Sequence, residues 1–161
     1  MLLNSFGPLV ASLALVLSAP VRAQEPIRMA RTPDISPDGK LIAFSYLGDI
    51  WTASEDGTGV QRITDNSARE IYPRFSPHGR WIAFSSNRYG NYDVFVVSSA
   101  GGAPTRLTYH TGTDDVVGWT RDSQQVIFRS ARGDGAFPNV AVLYQIAATR
   151  GMEKSLPVGW G

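Results

Sequence analysis

Tyr72-Pro73-Arg74-Phe75-Ser76-Pro77-His78-Gly79-Arg80-Trp81-Ile82-Ala83-Phe84 decides the reading of this chain, because a version of it occurs once before and once after. The earlier copy is Pro33-Asp34-Ile35-Ser36-Pro37-Asp38-Gly39-Lys40-Leu41-Ile42-Ala43-Phe44, and a fainter one runs from Val116 through Trp119-Thr120-Arg121-Asp122-Ser123 to Phe128. Self-similarity at a fixed period outranks local propensity, since each copy is one structural unit that cannot bury its apolar face alone. With Ser36, Ser76 and Thr120 as origins, an aromatic follows eight residues later each time: Phe44, Phe84 and Phe128. A second aromatic comes next, at Trp51, Phe95 and Tyr144, and thirteen residues beyond each lie Thr64, Thr108 and Pro157. Thr64 to Ser76 and Thr108 to Thr120 are both twelve steps. Only the distance between the two aromatics changes, from seven to eleven to sixteen, which marks a repeated unit with one loop free to grow.

Each unit reads as four short strands. In the first, Pro33 to Ser36, Leu41 to Ser45, Ile50 to Ala53 and Val60 to Thr64 are strands, with turns at Ser36-Pro37-Asp38-Gly39 and Glu55-Asp56-Gly57-Thr58-Gly59. Proline presets φ, Asp bonds back to backbone amides, and Gly accepts the positive φ that closes such a hairpin. The second unit repeats this with Tyr72 to Ser76, Arg80 to Ser86, Asp93 to Ser98 and Pro104 to Thr108. The third has Asp115 to Thr120, Gln124 to Ser130, Val140 to Ala147 and a last strand near Glu153 to Leu156, although its first turn has lost both Pro and Gly.

Four antiparallel strands per unit of about 40 to 45 residues is the signature of a β-propeller blade. The fold class is therefore all-β, an incomplete propeller of three blades over roughly 32–64, 72–108 and 115–157. Ile42, Phe44, Ile82, Phe84, Val126 and Phe128 are expected between neighbouring sheets. Closed propellers carry about four to eight blades. Three leave an apolar face bare at each end, where each uncovered large side chain forfeits about 1.5–3 kcal/mol. The chain is thus expected to be the opening piece of a longer protein, with self-association into a ring as the alternative.

Composition agrees with a folded domain: 43% hydrophobic, 18% charged, and sixteen Gly and ten Pro set between short apolar runs. Residues 1–23 stand apart, with an apolar core Leu9 to Leu17, then Pro20 and Val21-Arg22-Ala23. That pattern matches a secretory signal cleaved after Ala23, with an uncleaved anchor as the alternative, although the run is shorter than the about 20 residues a bilayer span needs. No membrane span is expected in the mature chain. The absence of Cys excludes disulfides and a lipidated cysteine, and export then points to a periplasmic or secreted protein. Fifteen basic and fourteen acidic residues are spread along the chain, so nothing resembles the positive stripe that nucleic acid requires.

Ser36-Pro37-Asp38-Gly39 with Ile42-Ala43-Phe44, and Ser76-Pro77-His78-Gly79 with Ile82-Ala83-Phe84, resemble the repeat shared by TolB-type propellers and those of tricorn-like and prolyl-oligopeptidase-like peptidases. Arg106-Leu107-Thr108-Tyr109-His110, Val116-Val117-Gly118-Trp119-Thr120, Phe128-Arg129-Ser130 and Leu143-Tyr144 look like the opening blades of tricorn-like serine peptidases. That resemblance implies further β-domains, a PDZ-like domain and a serine-peptidase core downstream, with the propeller filtering or guiding peptide substrate or serving assembly. A TolB-like protein-binding propeller and the propeller of a prolyl-oligopeptidase-like enzyme are the other readings.

The residues themselves carry little chemistry. There is no Gly-x-Ser-x-Gly elbow, so no catalytic residue is assigned, and no cofactor or metal is expected. His78 stands in a hairpin turn where Asp38 stands in the first unit, and His110 reads as a structural hydrogen-bonder or loop residue. Asp114, Asp115 and Asp122 lack the six or more oxygens of a hard-cation site and read as solvated loop. Asp49 and Asp93, at matching places, read as acceptors for backbone amides, and Trp51, Trp81 and Trp119 as packing. The candidate contact surface is the set of loops that lengthen, Tyr46 to Asp49, Asn87 to Asn91 and Ala131 to Asn139, with Arg88, Tyr89, Arg132 and Phe137 as candidates for meeting a peptide or protein partner.

Overall fold

A computed structural model describes residues 27–132 and 141–157. The signal expected over residues 1–23 lies outside them. Three four-stranded sheets occupy the positions of the three repeats, and each is a meander in sequence order with antiparallel neighbours. The first comprises β1 (Arg31–Ile35), β2 (Leu41–Tyr46), β3 (Asp49–Ser54) and β4 (Gln61–Arg62). In the second are β5 (Glu70–Phe75), β6 (Trp81–Ser86), β7 (Asp93–Ser98) and β8 (Thr105–Arg106). The third holds β9 (Asp114–Trp119), β10 (Gln125–Ser130), β11 (Val142–Ala147) and β12 (Lys154–Ser155). Among the described residues no helix is long and apolar enough to cross a membrane.

The hairpin joining the first two strands of each blade is built the same way from different residues. Gly39, Gly79 and Ser123 all take positive φ, at 76°, 75° and 60°, and each amide donates to Ser36, Ser76 or Thr120. The hydroxyl three residues before donates to Asp38 at 2.7 Å and to Asp122 at 2.6 Å, and pairs with His78 Nδ1 at 2.9 Å. One acceptor at this place also takes the amide of Lys40, Arg80 or Gln124. The third turn thus survives without Pro or Gly, at the cost of a serine in the left-handed region. Those hydroxyl bonds, followed by the amide bonds, hold the Asp38 and Asp122 carboxyls below the usual range.

Alternation along the strands sends two different faces to two neighbours. Ile82, Phe84, Phe95 and Val97 of the second blade meet Ala43, Ile50 and Ile63 of the first. Ala83, Val94 and Val96, one step out of phase, meet Val116, Val126, Phe128 and Ile146 of the third. The Ile-x-Phe face of a blade therefore looks at the blade before it, and the Ala face at the blade after it. This corrects one expectation: Ile42 and Phe44 do not lie between the described sheets. They sit on the outer face of the first blade, where with Ile27, Ala30 and Pro33 they line an open depression of about 540 Å³. Phase is the reason, since no blade precedes the first among the described residues.

Two further details differ from expectation. The innermost strands are irregular: the register slips between Arg31 and Asp34 and between Ile71 and Arg74, with Thr32 and Tyr72 at positive φ. Pro33 and Pro73 follow those residues, and a bulge is where a residue without an N–H is tolerated in a sheet. The outermost strands are also shorter than predicted, two residues each. After the ladder, the Thr64 and Thr108 hydroxyls accept the Ile50 and Val94 amides at 2.9 Å, replacing a backbone acceptor and ending the strand.

Neighbouring blades are also strapped by polar bonds near the inner strands. Asp34 accepts the Phe75 amide at 2.7 Å, and the Trp119 indole donates to the Arg74 carbonyl at 2.9 Å. Ser45 and Ser85, each one residue after the buried Phe, donate to the carbonyls of Glu70 and Asp114, the first residues of the next blade.

Candidate functional site

The variable loops all close the same hairpin. Its last ladder pairs are Tyr46 with Asp49, Ser86 with Asp93 and Ser130 with Val142, so the loops hold two, six and eleven residues. Those increments, four and then five, are the ones read between the paired aromatics. The loops share one edge of the stack with the connectors that lead from each outer strand to the next inner strand. Asp114 donates its amide to the Tyr92 carbonyl at 2.8 Å, and Glu70 to Gly48 at 2.7 Å.

Two of the four residues expected at this rim are anchored inward. Arg88 forms an ion pair with Glu70, which is fully buried, and its guanidinium lies 4.5 Å over the Phe95 ring. Arg132 pairs with the buried Asp114 and at 3.2 Å with Glu153, and its guanidinium lies 5.4 Å and 5.0 Å from the centres of the stacked Phe128 and Tyr144 rings. Both bind the inner strand of a blade to the loop above it. Tyr89 is different: it is 62% exposed and stacks on Phe95 with ring planes 9° apart. Arg106, paired with Asp93 at 2.8 Å, lies 4.4 Å from the rings of both Tyr89 and Tyr109, two exposed tyrosines with a cation between them. Phe137 lies outside the described residues.

Under this rim each blade junction buries a pair of carboxylates. At the first junction Asp49 accepts the Asn66 amide at 3.0 Å and pairs with Arg62 at 2.6 Å, while Glu70 accepts from the Thr64 hydroxyl and from Arg88. At the second, Asp93 pairs with Arg106 and Asp114 with Arg132, but Asp93 Oδ1 and Asp114 Oδ1 find no partner among the described residues. Burial pushes the Glu70 and Asp93 carboxyls up, against the opposing pull of Thr64 and Arg88 on the one and Arg106 on the other. Asp49 serves a backbone amide, as expected, as well as Arg62, whereas Asp93 serves Arg106 and no backbone amide among the described residues.

The remaining candidates fall in separate places. Asp115 pairs with Arg129 at 2.8 Å, and Asp122 holds its turn, so the three acids expected in solvated loop serve three structures. His110 accepts the Gly112 amide at 2.8 Å. Trp51 donates to the Tyr46 carbonyl and packs edge-on to that ring; Trp81 is 41% exposed.

Sequence reasoning missed the concave part of this edge. A cavity of about 740 Å³ opens between the start of the first blade and the connector to the second, with Arg28, Arg31, Arg62 and Arg69 in its wall beside Met29 and Leu47. These arginines are scattered over forty-odd residues in a chain of net charge +1, which hid them. The usable signal was local: Arg28 precedes and Arg31 opens the first strand, and Arg69 directly precedes the matching strand of the next unit.

The putative tricorn protease homolog 2 of Streptomyces coelicolor is 32% identical over 136 residues, which is 81% of this chain and 11% of that protein. The crystal structure of the tricorn protease superposes with a TM-score of 0.61 at 26% identity, over 73% of this chain and 12% of that one. A putative TolB from Agrobacterium tumefaciens gives a TM-score of 0.64 at 24% identity, over 76% of this chain and 47% of that one, a likeness of fold. The chain spans about a tenth of the length of the two curated tricorn homologues of Streptomyces coelicolor that it matches. The family described as the tricorn protease N-terminal beta propeller domain matches residues 27–161, and to that family this chain belongs.

Proposed function

We propose that this chain supplies the opening blades of the propeller in an exported tricorn-like serine peptidase, where it takes no chemical step and governs the access of peptides or the assembly of the enzyme. The observation that carries the reading is the rim. Loops of two, six and eleven residues crowd one edge, over blades whose backbone is otherwise repeated nearly residue for residue. Length variation confined to one edge of a rigid scaffold is where contact functions are placed. Tyr89 and Phe137 are the rim residues proposed to meet substrate or partner; Arg88 and Arg132 shape the loops that present them. Export rests on the apolar run and the Val21-Arg22-Ala23 site, and detection of the mature protein starting at Gln24 outside the cytoplasm is the matching test.

For the rim, the experiment is a comparison of substrates in the full-length polypeptide. Alanine at Tyr89 and Phe137 is expected to lower kcat/KM several-fold for long peptides and to leave cleavage of a minimal peptide reporter unchanged. If both substrates are cut as before, the rim has no part in access.

A further inference from the structure

We propose that the arginine-lined cavity beside the first blade docks an acidic segment of a peptide, one that carries internal Asp or Glu side chains next to an apolar side chain. The inference deepens the reading of this edge as a contact surface and rests on it. Four arginines line the cavity, and among the described residues only Arg62 is ion-paired, with Asp49 and Asp65. Arg28, Arg31 and Arg69 are exposed and form no ion pair there. The one acid in the wall, Asp49, is already used by Arg62 and the Asn66 amide. A concave surface with charges of one sign and walls of low dielectric focuses its field and gathers the opposite charge.

The apolar element narrows the ligand. Met29 and Leu47, 75% and 82% exposed, stand in the wall, and both hold φ in the left-handed region, at 67° and 50°. Leu47 and Gly48 are the two-residue loop between β2 and β3, whose turn geometry sets that φ and leaves the leucine side chain exposed beside the arginines. An inorganic anion gains nothing from those two side chains. The volume is also that of a ligand site, about 300–1,000 Å³, rather than that of one small ion. Arginines on two separate segments, one at the start of β1 and one just before β5, suit carboxylates spaced along a chain.

The test uses the full chain and three fluorescein-labelled peptides blocked at both ends: Gly-Glu-Leu-Glu-Glu-Leu-Gly, the same with Gln for Glu, and the same with Gly for Leu. Fluorescence anisotropy is expected to show the first binding at least tenfold tighter than the Gln peptide and several-fold tighter than the Gly peptide. Arg31→Gln with Arg69→Gln should cost at least tenfold while the circular dichroism spectrum is unchanged. Arg80→Gln, in the turn of the second blade, should have no effect. Equal binding of the Glu and Gln peptides, equal loss in Arg80→Gln, or full displacement by millimolar inorganic phosphate would overturn the proposal. Cleavage of long peptides that ignores Tyr89 and Phe137 while this binding persists would sink the access reading and leave the docking site standing.

Discussion

The first and second blade junctions are built on one backbone and differ in how their buried acids are satisfied. Thr64 and Thr108 accept the Ile50 and Val94 amides at the same 2.9 Å, and Ser45 and Ser85 bond the inner strand of the next blade alike. In the first junction the buried acid is Glu70, long enough to take the Thr64 hydroxyl on one oxygen and Arg88 on the other. In the second it is Asp114, which reaches Arg132 and leaves Oδ1 without a partner among the described residues, and Asp93 Oδ1 has none there either. A repeated fold thus fixes where polar groups are buried, while side-chain length and the donors of the connector decide whether they are satisfied: Asp49 takes the Asn66 amide, and Asp93 at the matching place has no such donor among the described residues.

The largest effect that can break this comparison is the loss of an arginine. Arg132→Ala is expected to destabilise the chain by about 3–5 kcal/mol, the cost of stripping the counter-ion from a buried charge. Arg88→Ala should cost less, because Glu70 keeps the Thr64 hydroxyl; urea unfolding of both variants would reverse the argument if Arg88 proved the more sensitive. Next in size is Asp114→Glu, which gives the second junction the longer acid that takes the Thr64 hydroxyl in the first and should add about 0.5–1.5 kcal/mol, the net worth of one hydrogen bond. A lower midpoint in that variant would mean the second junction has no room for the missing methylene.

Smaller is the pH dependence, and its sign separates the junctions from the turns. Glu70 and Asp93 have raised folded pKa values, so the folded state binds their protons more tightly, and stability falls as pH rises from the unfolded value through the folded one. Asp38 and Asp122, with lowered values, act oppositely: their contribution is present above the unfolded value and fades as pH falls through the folded one. Asp93→Asn should therefore flatten the gain in stability that acidification brings above the normal Asp range; an unchanged slope in thermal melts would remove Asp93 from the account. The smallest effect is expected for Arg62→Ala, a half-exposed arginine, where a shift as large as that of Arg132→Ala would contradict the contrast between exposed and buried pairs.

Much of the fold was legible because it depends on spacing. The origins Ser36, Ser76 and Thr120, the phenylalanines eight residues on and the twelve-step connectors all survive as turns, buried rings and junctions. The increments of the growing loop were also readable, since insertions leave the flanking ladder untouched. The roles of Arg88 and Arg132 were not. Each finds its acid eighteen residues upstream, at the start of the inner strand, and that proximity exists only after the hairpin has closed. The outer face of the first blade was misjudged because residue type gives the buried face of a strand but not which neighbour it meets. Ile42 and Ile82 look identical in sequence and differ only in having a blade in front of them.

The threonine hydroxyls that end the outer strands have a consequence for the wall of the propeller. A long strand at the edge of a sheet offers a row of unused amides and carbonyls to any other chain that meets it, which is how fibrils and tangled aggregates begin. Here each blade shows the outside world a ladder of only two residues before the chain turns away. A stack of blades built this way could sit crowded among its copies with little for them to zip onto.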